Sequence, residues 1–136
     1  MGARRRAREA ALQMLYAIDM TGVSAEQADH HYWDYLASGA DGRDFASKLV
    51  AGWAENAEAI DEAIRKVSEH WRLERMPRVD RNVLRLGGYE LMFLQEVPAR
   101  VTLNEAVELA KRYGGEGSPG FVNGVLDRLA ADVGKD

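Results

Sequence analysis

The chain has 136 residues, 46% hydrophobic and 29% charged, with a formal net charge of −4 and no cysteine. That length and balance predict one globular domain, residues 1–136, with a core of its own, and they exclude a disordered tail, a membrane-spanning protein and any disulfide or thiol chemistry. The charge is unevenly placed: residues 1–8 hold four of the 18 cations and none of the 22 acids, so the remainder, at 14 against 22, would repel polyanions.

Apolar residues recur at three and four residue spacing along most of the chain, with no sustained period-two alternation, which predicts an all-α fold. A first helix is expected from about Arg4 to Met20, with Ala7, Ala11, Met14, Leu15 and Ile18 on its core stripe and Thr21-Gly22 as its stop. Leu12 and Tyr16 then point roughly 120° and 160° away from that stripe. Ser24 and Gln27 form a capping box for a second helix reaching about Ala37, followed by a turn over Ser38 to Gly42. Phe45, Leu49 and Trp53 mark a third helix, and Ile60, Ile64, Val67 and Trp71 a fourth, with Asn56 between them. Pro77 suits the first turn of a helix to about Glu96 that is apolar on nearly all sides and should be central. Gly87 and Gly88 inside it imply that another backbone passes close. Thr102 with Glu105 predicts a second capping box, for a helix that stops at Gly114-Gly115. Ser118 is expected to cap a last helix with Pro119 in its first turn. Six or seven helices result, divisible near residues 72 to 78 into subdomains 1–72 and 73–136.

Arg4, Arg5, Arg6 and Arg8 are the residues most in need of a use. Arginine at a helix N-terminus opposes the macrodipole, and like charges at this spacing repel. From the residues alone, a solvated helix start and a nucleic-acid patch both stay open, since arginine clamps phosphate and stacks on bases. Tyr16 is either covered by a neighbouring helix or part of a partner-binding surface. Phe121, beside the loop GGEGSPG, reads first as a rim-of-core ring and second as a base-stacking one. The loop lacks the lysine and preceding strand of a P-loop.

Catalysis finds little support in the sequence. His30 and His31 diverge by about 100° on a helix, and His70 with Glu74 has no third ligand nearby. No nucleophile elbow, Walker sequence or HExxH is present. The expectation is a binder without metal or cofactor, not an enzyme. An arginine-containing start with no uninterrupted apolar run behind it is no secretory signal, so a cytoplasmic address is expected.

Three stretches, ARRRAREAALQMLYAIDM, VDRNVLRLGGYEL and VPARVTLNEAVELAKRYGGEGSPGFVNGVLDRLA, resemble the NusB family of bacterial transcription antitermination factors. The resemblance implies two packed three-helix subdomains with about seven helices in all. It implies a protein that pairs with NusE, a small-subunit ribosomal protein, and binds single-stranded boxA RNA during ribosomal RNA transcription. Other Nus factors and RNA polymerase join through that complex. By resemblance, Arg4, Arg5, Arg6 and Arg8 match the RNA-binding motif, Lys111, Arg112 and Phe121 the same RNA surface, and Tyr16, Glu74 and Asp80 the NusE contact. Two positions depart from the family pattern: Gly87-Gly88, where a small and then a larger apolar residue is usual, and Gly117, where an acidic one can occur. Four arginines gathered on single-stranded RNA predict a log-log salt slope of about −3. The alternative is a helical adaptor or homo-oligomer whose N-terminal face binds protein only, and a homodimer is one partner arrangement it allows.

Overall fold

The computed structural model describes residues 2–36, 42–68 and 70–135. Those residues form seven α-helices and no strand: α1 (Ala3–Thr21), α2 (Ala25–His31), α3 (Arg43–Glu55), α4 (Ala57–Val67), α5 (Arg78–Phe93), α6 (Ala99–Tyr113) and α7 (Ser118–Asp132). A π-helical turn, Tyr32–Leu36, extends α2, and a 3-10 turn, Leu73–Arg75, precedes α5. No helix among them is long and apolar enough to cross a membrane.

Several elements stop and start where local chemistry dictates. Gly22, at φ 75°, ends α1 in the left-handed conformation that glycine adopts without a Cβ penalty. Ser24 and Gln27 satisfy each other's backbone amides in a reciprocal capping box. Asn56 is both the end of α3 and the start of α4, its amide donating to the Gly52 carbonyl. The helix expected to reach Ala37 is α-helical only to His31, and the turn expected over Ser38 to Gly42 lies, up to its last residue, outside the described residues. Gly42, at φ 78°, brings α3 against the start of α1 so closely that a Cβ would collide with the Ala3 carbonyl.

Helix α5 is the centre of the fold, packed against α1, α3, α4, α6 and α7. Eleven of its sixteen residues are buried, which explains an apolar pattern too broad for one stripe. Its two glycines admit side chains, not a backbone as expected. A Cβ on Gly87 would stand 2.7 Å from the Leu126 side chain, and one on Gly88 2.9 Å from Ile60. Packing runs across residue 72, since both α1 and α4 lie on α5.

Four local expectations are corrected. Leu12 is buried, because α1 is covered on one side by α3 and on another by α5. Helix α4 ends at Val67, so Trp71 lies beyond it and is 60% exposed. No capping box forms at Thr102: α6 begins a turn earlier, after Pro98, whose extended backbone serves as the N-cap, and Thr102 is buried inside the helix. Ser118 is the first residue of α7, not its cap, and its hydroxyl is committed to Asp80 at 2.6 Å.

Candidate nucleic-acid interface

The four N-terminal arginines occupy the first two turns of α1, which has no acidic residue in its first turn and no side-chain cap at Gly2. The helix start therefore carries uncompensated positive charge locally, and the compensation comes from distant parts of the chain. Arg4 lies over the Phe45 ring of α3 at 4.2 Å. Arg5 forms a two-pronged pair with Glu105 of α6, Nε to Oε1 at 3.0 Å and Nη2 to Oε2 at 2.7 Å. Arg6 is exposed at the surface.

Arg8 departs from expectation. Its guanidinium is buried and donates to both oxygens of Glu90 on α5 at 2.8 Å each, while the Thr102 hydroxyl donates to the same carboxylate at 2.9 Å. The expected single exposed surface of four guanidinium groups is thus not what forms. Arg8 faces the interior because at i+4 from Arg4 it lies one turn deeper, where α1 enters the cleft between α3 and α5.

Of the exposed arginines, Arg5 meets α6. Arg5 and Lys111 line two adjoining cavities, of about 200 and 650 Å³, and Arg112 lines the smaller. Lys111 and Arg112 sit in the last turn of α6, where cations suit the helix dipole. Carboxylates are interleaved with these cations: Glu9 accepts from Arg112 at 2.7 Å and Glu108 stands 3.9 Å from Lys111. The hydrogen bond from Arg5 is the main influence that holds the Glu105 carboxyl below its ordinary range, and burial opposes it. A depressed carboxyl pKa means the pair is fully formed above the ordinary glutamate value and is lost as pH falls through the lowered one. At neutral pH the seam is an alternating array of guanidinium, ammonium and carboxylate. Asn104 and Asn123 line its larger cavity and complete a polar surface. The sequence carried no sign of Asn104, because only the packing of α1 and α6 on α5 brings it beside Arg5.

Phe121 is half-buried and sits apart from that array. Its ring meets Trp71 edge-on, centroids 5.8 Å apart and planes at 74°.

The three residues expected at a protein partner are divided. Tyr16, 41% exposed, shares a cavity of about 520 Å³ with Asp80, Arg78 and Tyr113. Asp80 is itself buried and accepts from Ser118, which leaves little of it to meet another protein. Glu74 does not line that cavity. It is exposed and receives Arg65 Nη2 at 2.7 Å, and hydrogen bonds from its own backbone and from Arg65 hold its carboxyl below the ordinary range. Among the described residues no group of three or more acidic, histidine or cysteine side chains is placed to hold a metal ion.

The sequence model of the NusB family matches residues 5–131. The chain is 58% identical over 135 residues to the transcription antitermination protein NusB of Sorangium cellulosum, covering 99% of this chain and 96% of that protein. In three dimensions it is similar to T. maritima NusB, with a TM-score of 0.86 and 41% identity over 95% of this chain and 91% of that one. It is similar also to a crystal structure of the antitermination factors NusB and NusE in complex with double-stranded RNA, with a TM-score of 0.83 and 32% identity over 96% of this chain and 97% of the other.

Proposed function

The chain belongs to the NusB family, and we propose that it is a non-catalytic, cytoplasmic, RNA-binding transcription antitermination factor that pairs with NusE and binds boxA-type RNA during ribosomal RNA transcription. The observation that carries this reading is the meeting of Arg5 with Lys111 on one face of a protein that is otherwise acidic. Arg4, Arg5 and Arg6 supply phosphate contacts from α1, and Lys111 and Arg112 supply them from α6. Arg8 holds α1 in place from beneath. Five phosphate contacts on a single strand give an expected log-log salt slope of about −3.5. Unpaired bases are read from their edges and faces, so single-stranded RNA is preferred to duplex.

The test is a titration of fluorescent boxA-type RNA at several salt concentrations, with and without NusE. Binding with a slope of about −3.5, tightened by NusE and stronger than binding to a duplex of the same sequence, supports the reading. A slope near zero, with NusE bound normally, would leave a protein-only adaptor.

The carboxylate of Glu105 stands where an RNA phosphate would meet Arg5. Glu105→Gln is therefore expected to strengthen RNA binding by about two- to fivefold, the scale of one screened surface charge pair. Weaker binding in that variant would instead mean that Glu105 orients Arg5 for the phosphate. For the partner face, Tyr16→Ala is expected to weaken NusE binding by about 30-fold, as for a central interface tyrosine. RNA binding by the isolated chain should stay unchanged, and calorimetry with each ligand separates the two effects.

A further inference from the structure

The end of α1 that carries Tyr16 and the 3-10 turn that carries Glu74 are far apart in sequence, and the Arg81 guanidinium joins them. Arg81 is buried near the start of α5 and donates from all three of its guanidinium nitrogens. Nε and Nη2 reach Asp19 Oδ2 on α1 at 3.0 and 2.7 Å, and Nη1 reaches the Leu73 and Glu74 carbonyls of the turn at 3.3 and 3.2 Å. Asn82 Nδ2 donates to the same Asp19 oxygen at 3.1 Å. Burial raises the pKa of Asp19, but the hydrogen bonds from Arg81 and Asn82 outweigh it and hold the carboxyl below its ordinary range. The pair is therefore charged at neutral pH.

Stability alone does not call for this arrangement. A buried ion pair contributes little that apolar side chains of the same volume would not, and what it adds is direction. The turn already has apolar anchors, since Leu73 and Met76 are buried on either side of Glu74 and Arg75. Such anchors hold the turn down without fixing its rotation, because hydrophobic contact is non-directional. A planar guanidinium bonded to two successive carbonyls does fix it. What it fixes is exposed: Glu74 and Arg75 on the turn and, on α1, Tyr16 three residues before Asp19 and Met20 one after it. Arg65 of α4 meets the Glu74 carboxylate, but that pair is exposed and screened by solvent, so it does not set the backbone beneath.

We propose that Arg81 is a positioning residue for the NusE face: by tying Asp19 of α1 to the turn before α5, it sets Glu74 relative to Tyr16 so that one partner meets both. The proposal rests on the NusE-binding reading above. Such a role differs from one in folding in a measurable respect, since the effect of Arg81 on NusE passes through Glu74.

The experiment is calorimetric titration of NusE into the full chain carrying Arg81→Lys or Asp19→Asn, each alone and combined with Glu74→Ala. Lysine keeps the charge but cannot span a carboxylate and two carbonyls from one nitrogen. Glu74→Ala and Arg81→Lys are each expected to weaken NusE binding by roughly 3- to 10-fold, and the two together by no more than the larger single loss, as for residues that act in series. Asp19→Asn keeps an oxygen acceptor and should lose less, and it carries the test should Arg81→Lys fold poorly. RNA binding by the isolated chain should be unchanged in every variant, because Arg5 lies roughly 20 Å along α1 from Asp19. Losses that multiply in the double variants overturn the proposal, since Arg81 then acts by another route. NusE bound as tightly by Arg81→Lys and Asp19→Asn as by the wild type overturns it too, even where melting temperatures fall, and leaves the NusE reading standing. A Glu74→Ala variant that binds NusE normally, or equal losses of NusE and RNA in Arg81→Lys, has the same consequence. A wild-type chain that binds no NusE overturns both readings together.

Discussion

In thermal and urea denaturation, Arg8→Met is expected to lose about 3–5 kcal/mol of stability. For a domain of this size that is a fall in Tm of about 10–20 °C. The substitution removes both guanidinium hydrogen bonds to Glu90 and leaves a buried carboxylate with only the Thr102 hydroxyl as a side-chain donor. Water cannot take over, since the side chains of Arg8 and Glu90 are only 5% and 3% exposed. The paired variant Arg8→Met/Glu90→Leu should recover most of the loss, because it leaves no charge behind. Thr102 can then turn its hydroxyl to the Pro98 carbonyl one turn back. A single variant as stable as the wild type would show that the charge is accommodated some other way. If Arg8→Met folds normally and loses RNA binding, Arg8 is an RNA contact after all.

Arg5→Ala/Arg6→Ala should behave in the opposite manner, with little change in stability and a large one in binding. Arg5 is exposed, so its pair with Glu105 is screened by solvent and adds little to stability. Two lost phosphate contacts make the salt slope shallower by about 1.4, and at 0.15 M salt that corresponds to an affinity lower by about tenfold. Titrations at three or more salt concentrations measure slope and affinity together. An unchanged slope would mean that these guanidinium groups do not meet phosphate, and the adaptor reading would replace the RNA-binding one. The two variants form a pair: adjacent turns of one helix, the same residue type, one set within the fold and the other at its surface.

That contrast shows where the sequence was readable. Helix positions followed from apolar spacing, from Gly22 and Asn56, and from the reciprocal box of Ser24 and Gln27, all interactions within a few residues along the chain. The central place of α5 was legible because a helix apolar on nearly every side must be surrounded. Local rules failed at Thr102 and Ser118, which have the composition of caps. Their hydroxyls instead reach carboxylates on α5, Glu90 and Asp80, and Pro98 and Gly117 take the cap positions. Trp71 was misplaced for a related reason: helical spacing continues past Val67, but the helix does not.

By itself the sequence determined the all-helical class, the chain order of the helices and the run of arginines without acids in the first turns of α1, because these depend on composition and short-range periodicity. Only the tertiary structure decided which of those charges stay at the surface. Arg8 and Glu90 are 82 residues apart, Arg5 and Glu105 100, and Arg112 and Glu9 103. Partners so distant are chosen by how α1 and α6 pack against α5, and burial then separates an arginine that holds the fold from one that can meet a phosphate.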